Sequence, residues 1–285
     1  MKSCKQFSAL LISVSIFLIS CASNDPETTS FEYPFRIGNS WEYRTTTIQN
    51  IFDEGILLSS DTLVSNSIVS VEGIEEVIPS YNTYVVHQTT VSDLFGTAEG
   101  YNYYHVSGDD LFLIAYRGSS FLAMPKVSTN EMYSFNGIMF SSFNEIRNKL
   151  EFSLNILTVN SDSLIIEERF PLVYDYPLES HKQWTYREFG FPTWRIHKVV
   201  NMLTSITAPA GTFDCYEIIW LYDIDNDSNW DNDIIIIDYV GETGLVKREI
   251  RSNNILFTDP DDPNGTEFTM NVTEVMELIS FDLQQ

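Results

Sequence analysis

One pattern occurs twice in this sequence, and its first copy, at residues 33–44, is Tyr33-Pro34-Phe35-Arg36-Ile37-Gly38-Asn39-Ser40-Trp41-Glu42-Tyr43-Arg44. The second copy, at residues 176–187, keeps the Tyr-Pro pair, the six-residue spacing and the group Trp-x-Tyr-Arg. Proline fixes its own φ and favours extended geometry in the preceding residue, which is typical of the entrance to a β-strand. Gly38-Asn39 permits a tight turn just before Trp41. We therefore expect a strand to start at each Trp-x-Tyr group.

The aromatic residues of the two copies form pairs that share one face of a strand. Trp41 and Tyr43 are two residues apart, as are Trp184 and Tyr186, and side chains alternate between the faces of a strand. An inward pair would form part of a hydrophobic core. An outward pair would offer a stacking surface to sugars or lipids. Both interpretations, core aromatics and ligand contacts, are open at this point.

The rest of the chain predicts a mainly β protein. Short runs rich in Val, Ile, Tyr and Phe recur at intervals of roughly ten residues, with turn-forming residues between them. This spacing is typical of a curved antiparallel sheet or a half-open barrel. No low-complexity linker interrupts residues 32–285, which we expect to form a single domain, with two related halves headed by the motifs at 33–44 and 176–187.

One or two short helices are compatible with this pattern. Ser141-Ser142 could cap a helix that carries Phe143, Ile146 and Leu150 on one face, although residues 127–150 fit a strand nearly as well. Residues 151–158 and 164–174 then predict further strands.

Net charge limits the classes of partner. The chain has 40 acidic and 16 basic residues, giving −24, and loss of Lys2 and Lys5 with residues 1–20 would leave −26. Such a field repels phosphate backbones and anionic headgroups, so nucleic acid binding is not expected. The rare basic positions, among them Lys247 and Arg248, are expected to be solvated or ion-paired.

The amino terminus resembles a bacterial lipoprotein signal peptide. Lys2 and Lys5 precede an apolar run from Phe7 to Ile19 that is too short to span a bilayer. The run ends in Leu18-Ile19-Ser20-Cys21, which resembles a lipobox. The resemblance implies cleavage after residue 20 and attachment of acyl chains, such as palmitate, to Cys21. Several acyl chains on one residue give stable membrane anchoring.

A polar tether is expected to follow this anchor. Residues 21–31 lack apolar periodicity, and about ten flexible residues reach on the order of 18 Å. Ala22 stands where an aspartate would resemble an inner-membrane retention signal. We therefore expect an outer membrane lipoprotein, facing the periplasm or the cell surface.

Four segments together resemble a group of bacterial lipoproteins. They are Pro34 to Tyr43, Trp184 to Tyr186, Pro209-Ala210-Gly211-Thr212-Phe213, and Gly244-Leu245-Val246-Lys247. Two departures occur, because Glu242 and Thr243 replace the usual residues before Gly244, and Lys182-Gln183 replace an expected glycine. Some proteins of this kind look like the half-barrels of periplasmic lipoprotein carriers, so the resemblance implies that fold. It implies no catalytic residue.

One acidic loop is a candidate calcium site. Asp223, Asp225, Asp227 and Asp231 alternate with other residues in a run that also contains asparagines, and such oxygens suit calcium. However, an EF-hand would place glycine at Ser228 and glutamate at Ile234. A polar hairpin loop is therefore the alternative interpretation. No other cofactor is expected.

The sequence contains no recognised catalytic motif. The four histidines lack metal-ligand spacing, Cys215 has no local base beside it, and neither a Gly-x-Ser-x-Gly elbow nor a Walker loop occurs. The leading hypothesis is a non-enzymatic binding or structural module of the cell envelope, with an envelope protein, a lipid or a glycan as partner. The alternatives are a carrier of a lipid or other apolar ligand, and a glycan hydrolase with an unrecognised carboxylate pair.

Overall fold

The computed structural model describes residues 32–93, 96–118, 132–143, 145–146, 161–188, 195–258 and 266–284. The predicted signal peptide, Cys21 and the tether lie outside the described residues. So do Leu150 and the predicted strand at 151–158. Within the part of the chain that is described, no helix has the length and apolar character needed to cross a membrane.

Fifteen strands make up the described fold. They are β1 (Ser40–Asp53), β2 (Ile56–Ile78), β3 (Tyr81–Ser92), β4 (Gly96–Ser107), β5 (Asp110–Gly118), β6 (Met132–Phe135), β7 (Ile138–Phe140), β8 (Ser161–Ile166), β9 (Leu172–Tyr174), β10 (Gln183–Glu188), β11 (Arg195–Ala208), β12 (Gly211–Asp223), β13 (Ile234–Gly241), β14 (Gly244–Thr258) and β15 (Glu267–Asp282). All belong to one antiparallel sheet that is not closed into a barrel. The predicted mainly β fold with a curved antiparallel sheet is confirmed.

The strand order consists of two successive meanders. One runs β1-β2-β3-β4-β5-β8 and the other runs β10-β11-β12-β13-β14-β15, and pairing of β15 with β1 joins them. Each meander begins with a strand that carries a Trp-x-Tyr group near its start. The two motif copies therefore occupy corresponding positions in the two runs of strands.

Two predicted segments differ in detail from the structure. The run at 164–174 was expected to be one strand, but β8 ends at Ile166 and β9 begins at Leu172. Pro171 lacks an N–H group for a ladder, and its carbonyl instead accepts a 3.0 Å hydrogen bond from Leu113 N. In the segment 127–150, β6 and β7 are strands, and a helical turn follows.

That helical turn has the predicted cap. Ser142 Oγ accepts a hydrogen bond of 3.1 Å from Glu145 N, as an N-cap serine does. Phe143 and Ile146 are buried on its inner side.

Side chains of β10 and β11 hold the two ends of the sheet together. β9 pairs with β5 through its backbone, and on its other side the Trp184 indole donates to Leu172 O at 2.9 Å. Lys198 Nζ donates to Val173 O at 3.1 Å. Nearby, Arg187 forms two hydrogen bonds, of 2.8 and 2.9 Å, with Glu167. We call this junction the seam; it keeps the sheet curled without a backbone ladder between β9 and β10.

The first motif is anchored to the turn between β13 and β14. Trp41 Nε1 donates to Thr243 O at 2.6 Å, and Tyr43 Oη donates to Leu245 O at 3.0 Å. Between these two carbonyls lies Gly244, with φ of +94°. A Cβ at Gly244 would lie 3.0 Å from Tyr33 Cζ, so this turn needs glycine for its conformation and for the space that Tyr33 occupies.

Asn39 fixes the entrance to β1. Its side chain is 1% exposed, its amide nitrogen donates to Pro34 O at 2.6 Å, and its amide oxygen accepts from Gln284 N at 2.7 Å. The Gly-Asn pair of the motif thus joins the start of the sheet to the end of β15.

We predict that Gly244→Ala destabilises the protein by about 2–4 kcal/mol, because a left-handed backbone conformation and a steric clash act together. Chemical denaturation at neutral pH measures the free energy of unfolding. Gly55→Ala is the matched control: φ there is +83°, and nothing lies within 4 Å of the added Cβ. The control should lose only about 1–2 kcal/mol. Equal losses in the two variants would contradict the proposed contact with Tyr33.

Candidate functional site

A cavity of about 50 Å³ lies inside the curled sheet. The first motif provides part of its wall through Tyr33, Trp41 and Tyr43, and the opposite meander provides Lys198 and Arg248. These side chains point inward because each lies on the buried face of its strand or entrance segment. The cavity is therefore the place where the two meanders face each other.

The four predicted aromatic residues are all buried. Trp41 and Tyr43 are each 1% exposed, and Trp184 and Tyr186 are 5% and 2% exposed. All four belong to the main hydrophobic core, and Trp41 and Tyr43 also line the cavity. A stacking surface for sugars on the outside of the sheet needs exposed ring faces, which none of the four has.

A buried ion pair lies beside the cavity. Asp238 and Arg248 are direct partners on β13 and β14, and two hydrogen bonds join them: Nε to Oδ1 at 2.5 Å and Nη2 to Oδ2 at 2.8 Å. The indole of Trp220 donates to the same carboxylate at 2.9 Å. This pair is buried, with exposures of 0% for Asp238 and 4% for Arg248.

Lys198 adds a second buried cation. It is 1% exposed and lies opposite Trp220 in the pairing of β11 with β12. Its Nζ is 3.8 Å from the Trp220 ring centroid and 4.2 Å from that of Tyr186, which is cation–π geometry. Arg248 Cζ lies 5.1 Å from the Trp220 centroid as well. Both cations thus contact the same indole.

Burial and neighbouring charges determine the ionisation of Asp238 and of the tyrosines around the cavity. Burial alone would raise the pKa of Asp238, but the charge and hydrogen bonds of Arg248, with the charge of Lys198, hold that pKa below its ordinary value. Burial raises the pKa of the Tyr43 and Tyr174 phenols well above their ordinary value. At neutral pH the carboxylate is therefore ionised and the two phenols are neutral.

Two polar atoms near the cavity have no hydrogen-bond partner in the part of the chain that the structure describes. Arg248 uses Nε and Nη2 for Asp238, but its buried Nη1 has no partner there. Asn102 on β4, 3% exposed, has an unpaired buried Oδ1. Both residues line the cavity. Buried polar atoms without partners are uncommon in folded proteins, so these two call for a specific explanation.

The predicted calcium loop is only partly assembled. Oxygen atoms of Asp223, Asp225 and Asp227 lie within 4.8 Å of one another. Asp231 instead accepts hydrogen bonds from Ile224 N at 2.7 Å and from Asn136 Nδ2 at 2.6 Å. The three clustered aspartates stay a predicted calcium site, which calorimetry at millimolar calcium tests.

Existing partners already hold two of these carboxylates. Arg195 is hydrogen-bonded to Asp223, with Nε at 3.0 Å, and Asp227 accepts from both nitrogens of Asn229. A bound calcium ion would have to compete with these contacts.

The single cysteine of the body is unsuited to nucleophilic chemistry. Cys215 on β12 is 0% exposed, and burial raises the pKa of its thiol to about 12. At neutral pH the thiol is therefore protonated and unreactive.

Arg248 is ion-paired, which is one of the two states expected from the sequence, but sequence reasoning missed that the charges are buried, although a local signal was present. Each of three ionisable residues lies between apolar residues two positions away on both sides: Lys198 between Ile196 and Val200, Asp238 between Ile236 and Val240, and Arg248 between Val246 and Ile250. In a strand, such positions face the same side. An ionisable residue at an otherwise apolar inward position predicts a buried charge.

No protein-family model matches the chain, and the comparison with curated proteins gives no match. Similar solved structures include an inferred exported protein with a YmcC-like fold from Bacteroides fragilis NCTC 9343. The two sequences are 11% identical, and the TM-score is 0.39. The match covers 89% of this chain and 99% of that chain.

Two further structures are similar to a comparable extent. An inferred lipoprotein from Parabacteroides distasonis ATCC 8503 has 16% identity, a TM-score of 0.36, and coverage of 89% of this chain and 99% of that chain. A β-barrel-like protein of a domain of unknown function from Brucella abortus has 10% identity, a TM-score of 0.33, and coverage of 90% and 100%. At these values the likeness carries no inference about function.

We predict that Asp238→Asn destabilises the protein by about 3–5 kcal/mol at neutral pH, because Arg248 would stay buried without its counter-ion. Glu249→Gln is the control, since Glu249 pairs with Lys247 and Arg251 on the outer side of β14 and should cost below about 1 kcal/mol. Chemical denaturation of both variants gives the comparison.

The pH dependence should differ between the wild type and this variant. Because the pKa of Asp238 is lowered on folding, its stabilisation is complete above the unfolded-state pKa of about 3.9 and is lost as the pH falls through the folded-state pKa. The free energy of unfolding of Asp238→Asn should therefore fall less steeply with acid below about pH 4. Parallel pH profiles would contradict the assigned ionisation.

Proposed function

We propose that this chain is a lipid-anchored protein of the bacterial outer membrane and that its half-barrel is a non-enzymatic binding module. Its binding site is the interior cavity. One observation carries this proposal: the cavity of a strongly acidic protein is lined by two buried cations, Lys198 and Arg248, and Arg248 Nη1 has no partner among the described residues.

The anchor follows from the lipobox-like segment that ends at Cys21. The polar segment at residues 22–31 is the proposed tether, and about ten flexible residues have a reach on the order of 18 Å. A mature chain of charge −26 is repelled by anionic headgroups. Acylation, rather than electrostatic attraction, therefore holds the half-barrel at the membrane.

The size of the cavity argues against a lipid carrier. Pockets for organic ligands of drug size measure roughly 300–1,000 Å³, whereas this cavity measures about 50 Å³. Its wall also contains two cations, which are costly to place against an acyl chain. A small polar ligand fits both the volume and the lining.

The lining also argues against glycan hydrolysis in the cavity. That reaction needs two carboxyl groups roughly 5–9.5 Å apart, one as acid and the other as nucleophile or base. The described residues that line the cavity include no aspartate or glutamate.

Lipidation is predicted to depend on Cys21 alone. After growth with an alkyne fatty acid, the wild type should carry the label, and intact mass should match a chain that starts at residue 21 with acyl groups attached. Cys21→Ala should lose the label. Cys4→Ala and Cys215→Ala, which change the other two cysteines, should keep it. Labelled Cys21→Ala, or an unmodified mature wild type, would contradict the anchor.

The cavity is predicted to contain no lipid. The mature protein, purified from membranes in detergent, should release no stoichiometric lipid on organic extraction beyond its covalent acyl chains. Native mass spectrometry should likewise give no adduct with the mass of a phospholipid. A stoichiometric extracted lipid would support the carrier alternative and overturn the binding module proposed here.

A further inference from the structure

We propose that the interior cavity binds a small oxyanion, in the form of a carboxylate or phosphate group, between Lys198 Nζ and Arg248 Nη1. This inference rests on the proposed function of the cavity as a binding site, and it names the class of ligand.

Charge is the first argument. Among the described residues, two cations and no carboxylate line the cavity, and Asp238 lies behind Arg248 outside the lining. Of the other buried acids, Glu274 accepts a 3.0 Å hydrogen bond from Thr47, and Asp223 pairs with Arg195. The lining therefore presents positive charge, in a chain with 40 acidic and 16 basic residues. Asp238 is the one carboxylate that interacts with both cations in the described part of the chain, so their combined charge at the cavity is positive.

The unpaired N–H group of Arg248 is the second argument. Asp238 holds Nε and Nη2 in two short hydrogen bonds, which orients the guanidinium plane. Nη1 then has no partner among the described residues, although Arg248 is only 4% exposed and lines the cavity. A charged donor that is fixed in direction and buried without an acceptor is suited to an anionic oxygen.

Lys198 supplies the second cationic contact. The backbone carbonyl of Val173 and the rings of Trp220 and Tyr186 orient its ammonium group at the cavity wall. The charge of Lys198 also acts on Asp238. Because Lys198 lines the cavity, an oxyanion bound there would be attracted to its ammonium group.

The volume limits the ligand to a small group. A water molecule needs roughly 10–15 Å³ on this measure, so 50 Å³ accommodates about three to five atoms of that size. A carboxylate or phosphate group fits this limit. The unpaired Asn102 Oδ1 on the facing meander can accept a hydrogen bond from a hydroxyl or from a protonated oxygen of the same ligand.

The test uses the mature lipoprotein in detergent, with sodium acetate and sodium phosphate as probes and sodium chloride at equal ionic strength as the reference. Acetate, phosphate or both should raise the thermal unfolding midpoint by a few degrees more than chloride does, because a ligand that binds only the folded state stabilises it. Calorimetry should give saturable heat for the active probe. Acetamide, the neutral isostere of acetate, should give none.

Lys198→Met tests the location, since methionine keeps the length and apolar stem of the side chain without its charge. Affinity for the active probe should fall at least about tenfold, the effect of roughly 1.4 kcal/mol. Lys247→Met is the matched control, because Lys247 is the neighbour of Arg248 on the outer face and pairs with Glu249 at 2.8 Å. It should bind like the wild type.

Several results would overturn this inference. They are stabilisation by neither probe beyond chloride, equal heat from acetamide, and unchanged affinity in Lys198→Met. Native mass spectrometry separates this failure from failure of the proposed function: a neutral ligand released from the cavity would refute the oxyanion and leave the binding module intact. The comparison of acetate and phosphate with chloride at equal ionic strength uses only the wild type, so it decides the question even if the variant does not fold.

Discussion

The curled shape depends on the seam, where side chains replace a backbone ladder. Two edges of an open sheet leave rows of unpaired N–H and C=O groups, and such edges favour association with other chains. Here Trp184 and Lys198 donate to two consecutive carbonyls of β9, and Arg187 pairs with Glu167 beside them. Because Lys198 also lines the cavity, closure of the sheet and the proposed binding site share one residue. If a ligand binds Lys198, its binding free energy will depend on the contacts that Lys198 makes at the seam.

The first motif connects segments that are distant in the sequence. The first motif hydrogen-bonds to the turn at Thr243 and Leu245, about 200 residues later in the chain, and Tyr33 N donates to Tyr176 Oη at 2.9 Å in the second motif. The stacking of Tyr33 on Tyr174, with centroids 5.8 Å apart, places it against β9. Segments that are distant in sequence thus meet around the cavity. The first motif therefore packs the wall of the cavity, while the charged groups of the lining, Lys198 and Arg248, lie outside both motif copies.

Local patterns predicted the strands well, because alternation and turn residues act over a few positions. The strand starts at Trp41 and Trp184 and the cap at Ser142 are of this kind. Asp238 and Arg248 could also have been found, since they alternate with apolar residues and are joined by a two-residue turn at 242–243. The contact of Lys198 with Val173 could not, because it depends on how far the whole sheet curls. Likewise Asp231 turns away from the predicted calcium ligands towards Asn136, 95 residues distant, and no local pattern contains that contact.

On energetic grounds, the buried charges are better explained by the proposed binding module than by a purely structural role. Replacing a buried ion pair with well-packed apolar residues is often neutral or stabilising, so rigidity alone does not require Asp238 and Arg248 at inward positions. Leaving Arg248 Nη1 unpaired adds a further cost of roughly 1–3 kcal/mol, and Lys198 adds desolvation of its own. If the core served only to pack the β-strands, replacing these groups with apolar residues would increase the stability of the fold. Their retention around one small cavity is explained if the cost is offset when an anion binds there.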